Sequence, residues 1–131
     1  MLDPSPLDQF RLDDRVVIVT GASSGLGRRF ALVAASAGAK VVVAARRRDR
    51  LEAPATELPN AHVVEVDLTS ADGPQHVVDE AIDAYGRIDV VVNSAGKSSV
   101  VPALEFDEDQ MARELAINLI APFAVTRLAA A

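Results

Sequence analysis

The chain has no cysteine, one tyrosine and two histidines in 131 residues, and aromatics make up only 4% of it. Without cysteine there are no disulfides, no thiolate metal sites and no cysteine nucleophile. His62 and His76 have no partner at metal-ligand spacing and read as strand-edge and surface residues. No carboxylate pair stands out from ordinary surface charge. The segment from Met1 to Asp14 carries Asp3, Asp8, Asp13 and Asp14, two prolines and no apolar block, so it reads as neither a signal peptide nor a membrane helix. A soluble, cytoplasmic protein is the expectation, with an irregular segment over residues 1–13. The net charge of −6 argues against nucleic acid as a partner.

What the chain does have is small and branched apolar side chains. Half its residues are hydrophobic, with many Ala and Val, a composition suited to a parallel sheet enclosed by helices. The length fits one domain over residues 1–131 that can bury a real core. Apolar runs of strand length recur at Val16–Val19, Val41–Ala45, His62–Val66 and Val90–Val92. The stretches between them can form helices, and that alternation predicts an α/β fold with four parallel strands. The first helix is expected from about Leu26 to Ala37, with Gly38 ending it. A second, near Arg48 to Leu58, contains Pro54, which predicts a short or broken element. A third runs from about Pro74 to Tyr85, with proline in its first turn and Gly86 closing it. The last begins near Asp107 and runs into the C-terminus.

Between the first strand and the first helix stands Thr20-Gly21-Ala22-Ser23-Ser24-Gly25-Leu26-Gly27. A strand that reverses sharply into a helix while its backbone approaches two phosphates needs glycine. Gly21 would make the tight turn, Gly25 would let the main chain approach a dinucleotide pyrophosphate, and Gly27 would let helix and strand pack closely. The helix N-terminus beyond Leu26 supplies free N–H groups and partial positive charge. Ser23 and Ser24 can donate to phosphate or ribose, and one of them also reads as a helix N-cap. No Lys-Ser or Lys-Thr follows the last glycine, which excludes a nucleoside triphosphatase loop. Seven basic residues and one acid, Asp49, lie between Arg28 and Arg50, and this patch overlaps the expected phosphate site.

The spacing Gly-x-x-x-Gly-x-Gly after Thr20 resembles that of the short-chain dehydrogenase/reductase family. The resemblance implies a Rossmann-type doubly wound sheet and a nicotinamide dinucleotide cofactor. It also gives roles to residues at the strand ends. Ala45 occupies the place where NAD-preferring members carry Asp, and Arg46 is the neighbouring base for a 2′-phosphate, with Arg47 beside it, so NADP(H) is favoured over NAD(H). Asp67 resembles the residue that accepts from the adenine amino group, and Leu68 offers a backbone N–H. A plain helix cap is the other reading of Asp67 and Thr69. Asn93-Ser94-Ala95-Gly96 resembles the family's Asn-Asn-Ala-Gly segment, with Ser94 in place of the second Asn. In that likeness Asn93 ties the central strands together, while Ala95 and Gly96 are small because adenosine lies against them. Lys97, Ser98 and Ser99 follow as a polar loop without a role.

Asn118 resembles the Asn of the family's Asn-Ser-Tyr-Lys catalytic tetrad. Pro122, four residues on, lacks an N–H and would leave the Asn118 carbonyl free to hold a water, which the family places in a proton relay. A kinked helix with a buried, satisfied Asn is the other reading. The remaining tetrad positions have no match. Tyr85 is followed four residues later by Asp89, not Lys, and precedes the fourth strand. The resemblance thus covers the cofactor-binding half of the family's domain and stops before its catalytic half. From this follow an open apolar edge at the fourth strand, poor stability of the isolated chain, and a last helix that could pair with its counterpart in another subunit. Three functions are compatible. One is the front half of an oxidoreductase acting on a carbonyl or alcohol, once the missing half is supplied. Another is a non-catalytic dinucleotide-binding module, and a third is an interaction subunit that completes its sheet with another chain.

Overall fold

The computed structural model describes residues 8–47, 57–58 and 60–131. Four strands form one parallel sheet: β1 (Val16–Thr20), β2 (Lys40–Ala45), β3 (His62–Glu65) and β4 (Val90–Asn93), in the order β3-β2-β1-β4. Register runs Val17 with Val41 and Val90, and Val43 with Val63. The first strand leads through α1 (Gly25–Ser36) to β2, and β3 leads through α2 (Gly73–Tyr85) to β4. Beyond β4, α3 (Glu108–Leu115) passes through a π-helical turn (Ala116–Ile120) into α4 (Ala121–Ala129). Crossing back from β2 to β1 and on to β4 makes this a doubly wound, Rossmann-type sheet with its reversal point between β1 and β4.

Branched side chains explain why β1 is central. All five of its residues are buried, which requires cover on both faces. Val16 and Ile18 pack with Val42, Val77, Val78 and Val125 under α2 and α4. Val17 and Val19 pack with Val41, Val43, Ala31 and Ala34 under α1. Alternation along a strand therefore divides the core into two layers. Alanines at 31 and 34 bring α1 close to the sheet. The expected helix boundaries hold within one residue for α1 and α2, and α2 ends at Gly86, whose N–H donates to the Ile82 carbonyl. The helix expected near Arg48 to Leu58 lies outside the described residues except at its end, where Leu58 is buried in the α1 layer.

The last helix is one continuous run with a change of register. Asp107 caps α3 by accepting from the Gln110 N–H at 2.7 Å. Across Ala116–Ile120 the backbone bonds reach to the fifth residue back, the Ala121 N–H donating to the Ala116 carbonyl. Pro122, two residues beyond this π turn, supplies no donor of its own. Within residues 1–13, Asp8–Phe10 forms a single 3₁₀ turn. None of the helices among the described residues is long and apolar enough to cross a membrane.

Candidate functional site

At the carboxyl ends of the strands lies a cleft of about 810 Å³. The turn after β1 lines it with Gly21, Ser23, Ser24, Leu26 and Gly27, and the end of β2 with Ala44, Ala45, Arg46 and Arg47. Val66 to Thr69 after β3, and Ser94 to Lys97 after β4, supply the rest of the strand-end wall. The position is the one open parallel sheets give to ligands, at the reversal of strand order. It gathers residues from four separate segments that the sequence put forward one at a time.

The turn is built by close approach. Gly21 has φ +66°, and a Cβ there would stand 2.7 Å from the Ala95 Cα. A Cβ on Gly27 would meet the Gly21 carbonyl oxygen at 2.3 Å, so the helix can start so near the strand only with glycine at 27. Gly25 is different: it does not line the cleft wall, and a Cβ there would meet nothing within 4 Å. Ser24 occupies the N-cap position of α1, yet its side chain makes no capping bond. Neither Ser23 nor Ser24 donates its hydroxyl to any described residue. These hydroxyls and the first N–H groups of α1 are therefore left for a ligand at the cleft.

Thr20 joins the turn to β4, a role the sequence gave no sign of. Its buried Oγ1 accepts from the Ser94 and Ala95 N–H groups, each at 3.1 Å, and lies 3.5 Å from the Val92 carbonyl. Asn93 stands opposite Thr20 in the β1–β4 register, and the side-chain tie between these strands comes from Thr20. Asn93 donates through Nδ2 to Thr126 Oγ1 at 3.0 Å, fastening the strand end to α4, and it does not line the cleft. The loop after β4 is held at two further points. Glu114 accepts from the Ser99 N–H at 2.8 Å. Asn118 both accepts from the Lys97 N–H at 2.9 Å and donates to the Lys97 carbonyl at 2.7 Å. Asn118 is exposed rather than buried, and it lines a shallow groove along α4 instead of the cleft itself.

Charge in the cleft is mostly positive. Arg46, Arg47, Lys97 and Arg113 line it, against the single acid Asp67. Asp67 does not cap α2, whose N-cap is Asp72. It forms a local turn in which Oδ1 accepts from the Thr69 N–H at 2.9 Å and the Thr69 hydroxyl at 2.7 Å. Those bonds, with a contribution from the nearby Arg46 charge, hold its carboxyl below the usual carboxylate range. Among the described residues, the basic patch between Arg28 and Arg50 reaches the cleft through Arg46 and Arg47. Arg28 pairs with Glu57, and Lys40 lies at the other end of its strand near Asp14. Arg48 and Arg50 lie outside the described residues.

Tyr85 is remote from this arrangement. It ends α2, and its hydroxyl donates to the Asn60 carbonyl at 3.1 Å beside the start of β3. Partial burial pushes its pKa up. No cluster of metal-ligating side chains occurs among the described residues.

A parallel α/β sheet with a glycine turn and a cationic cleft at its reversal point defines a nucleotide-binding class of protein. The family is set by comparison: the short chain dehydrogenase model matches residues 15–131, and the chain belongs to the short-chain dehydrogenase/reductase family. It is 36% identical over 124 residues to an uncharacterized oxidoreductase of Mycobacterium tuberculosis, covering 92% of this chain and 47% of that one. It is 37% identical over 118 residues to the D-threitol dehydrogenase of Mycolicibacterium smegmatis, covering 87% of this chain and 45% of that one. The crystal structure of a short-chain type dehydrogenase/reductase from Mycobacterium marinum superposes with a TM-score of 0.92 at 34% identity, over 97% of this chain and 53% of that one. The chain thus spans about half the length of these relatives. Membership implies a nicotinamide dinucleotide cofactor.

Proposed function

We propose that this chain is the cofactor-binding half of a short-chain oxidoreductase and that it prefers NADP(H) to NAD(H). The observation that carries the reading is the convergence of the glycine turn, Arg46, Arg47 and Asp67 on one cleft. When bound, the dinucleotide would supply hydride from or to its nicotinamide ring, for exchange with a carbonyl or alcohol carbon. Gly21, Leu26 and Gly27 bring main-chain N–H groups to the pyrophosphate, Gly25 at φ +56° shapes the turn between them, and the unengaged hydroxyls of Ser23 and Ser24 donate alongside. Arg46, with Arg47 beside it, pairs with the 2′-phosphate, since the adjacent Ala45 offers no carboxylate to a ribose diol. Asp67 accepts from the adenine amino group through the oxygen that Thr69 does not occupy, and the Leu68 N–H lies beside it. Ala95 and Gly96 give the adenosine a flat floor, and Asn93 steadies the strand end from which they project. Asn118 acts through the Lys97 backbone, holding the loop at the rim where the substrate would enter. A serine, tyrosine and lysine from the remainder of a full family domain would complete the proton chemistry.

The test is a pair of fluorescence titrations with NADPH and NADH, repeated on Arg46→Ala. Tighter NADPH binding, weakened about thirtyfold by the substitution with NADH unaffected, supports the assignment. An unchanged ratio of the two affinities would remove Arg46 from the phosphate site.

A second reading, the sheet-completing subunit, draws on another observation. β4 is an edge of the described sheet, Val90 on it is 38% exposed, and Leu119, Ile120 and Phe123 stand more than half exposed on the following helix. These surfaces suit further polypeptide, either a continuation of the sheet or a second copy packed through the last helix. NADPH oxidation that appears only when a second polypeptide is added would favour it.

A further inference from the structure

One wall of the cleft is explained neither by the glycine turn nor by the strand ends. Ala112, Arg113, Ala116 and Ile117 face it from α3 and the π turn, and their spacing places them on one helix side. The two alanines leave a shallow apolar surface in the cleft that Ala95 and Gly96 also line. Arg113 is the one charged side chain that stands on it, and it is exposed. It makes no hydrogen bond or ion pair with any described residue. A cation near a helix end commonly answers the helix dipole, but α3 has no free end here. The Ala116 N–H donates to the Ala112 and Arg113 carbonyls, and the helix continues through the π turn into α4.

Resting on the dinucleotide reading above, we propose that the Arg113 guanidinium stacks on the face of the adenine ring, making it a base-binding residue that does not sense the 2′-phosphate. The ring's edge goes to Asp67, which leaves its faces to be covered. A guanidinium is planar and weakly hydrated, so it stacks on a π face where an ammonium gains less. Arg46 lines the cleft from the end of β2, beside Ala45, whereas Arg113 lines it from α3, a separate element. The two arginines divide the adenosine between them, one reading charge and the other reading the ring.

Titration of the full chain with NADPH and with NADH separates these roles. Arg113→Ala is expected to weaken both about tenfold and leave their ratio unchanged, whereas Arg46→Ala changes the ratio. Arg113→Lys, which keeps the charge and loses the plane, should recover less than half of the lost binding free energy. Circular dichroism and thermal unfolding of both variants should match the unsubstituted chain, since Arg113 holds nothing in the fold. Loss confined to NADPH would make Arg113 a phosphate ligand and overturn the proposal. Unchanged affinities, or full recovery by lysine, would overturn it as well. If the unsubstituted chain binds neither nucleotide, the dinucleotide reading itself falls; if it binds both and ignores Arg113, only the stacking role does.

Discussion

The two ends of the sheet treat charge in opposite ways. At the amino ends of the strands, Asp89 accepts from Arg15, Arg87 and the Val16 N–H, and Arg11 pairs with Asp13. At the carboxyl ends, Arg47, Lys97 and Arg113 have no ion-pair partner among the described residues, and Arg46 has only the nearby Asp67 charge. The same side-chain chemistry fastens a strand to its neighbour at one end and stays unengaged around a cleft at the other. Unpaired cations side by side cost free energy through mutual repulsion. Such an arrangement makes physical sense where an anion arrives to offset it. The difference between the ends supports the proposal that the cleft binds an anionic ligand while the opposite end is structural.

The contrast breaks most severely if the turn that shapes the cleft is altered. Gly27→Ala would set a methyl group 2.3 Å from the Gly21 carbonyl, and backbone cannot move aside as a flexible side chain does. The strand and helix must separate. We expect a loss of about 3 kcal/mol in urea unfolding and at least a hundredfold loss of NADPH affinity. Near-normal stability with near-normal binding would show that the turn has slack and that the close approach is not what shapes the cleft.

At the other end, Asp89 should control stability and leave nucleotide preference untouched. Its side chain is 12% exposed, and the bonds from Arg87, the Val16 N–H and Arg15 depress its carboxyl pKa far below the unfolded value of about 3.9. A depressed pKa means that the stabilisation is complete above the unfolded pKa and is lost as pH falls through the folded one. Asp89→Asn should therefore lower the urea midpoint at pH 7 by a readily measured amount. It should also flatten the fall in stability that the unsubstituted chain shows below about pH 4. The ratio of NADPH to NADH affinity should stay the same, and a changed ratio would mean the two ends are coupled.

Strand positions and the glycine turn were legible because their signals are local. Four runs of branched residues and one glycine spacing each lie within a few positions of the chain, and the structure places all four strands in one sheet. The connections that hold the site together are not local. Thr20 receives N–H groups from 74 and 75 residues away, and Asn118 is bonded to Lys97 from 21 residues away. Nothing near Thr20 distinguishes it from any threonine that ends a strand. Asn93 was legible as a structural residue, but its partner was not, because Thr126 comes beside it only when α4 packs on the sheet. Pro122 did signal an irregular helix. Whether the chain meets such a proline with a kink or a π turn depends on packing that the sequence does not display.

Ser24 gives the smallest and most selective test of the difference between the ends. A serine at an N-cap ordinarily contributes about 1 kcal/mol through its side-chain bond to the helix, and removing it destabilises the fold. Here that bond is absent, so Ser24→Ala should shift the unfolding free energy by less than about 0.5 kcal/mol. If the hydroxyl is instead reserved for a phosphate oxygen, the same substitution should weaken NADPH and NADH alike by about three- to tenfold, since the pyrophosphate is common to both. Calorimetric titration of the variant beside its melting curve reads both quantities on one sample. A stability loss near 1 kcal/mol with unchanged binding would return Ser24 to the fold. The unengaged groups at the carboxyl ends would then number one fewer, and the pyrophosphate would rest on Ser23 and main-chain N–H groups alone.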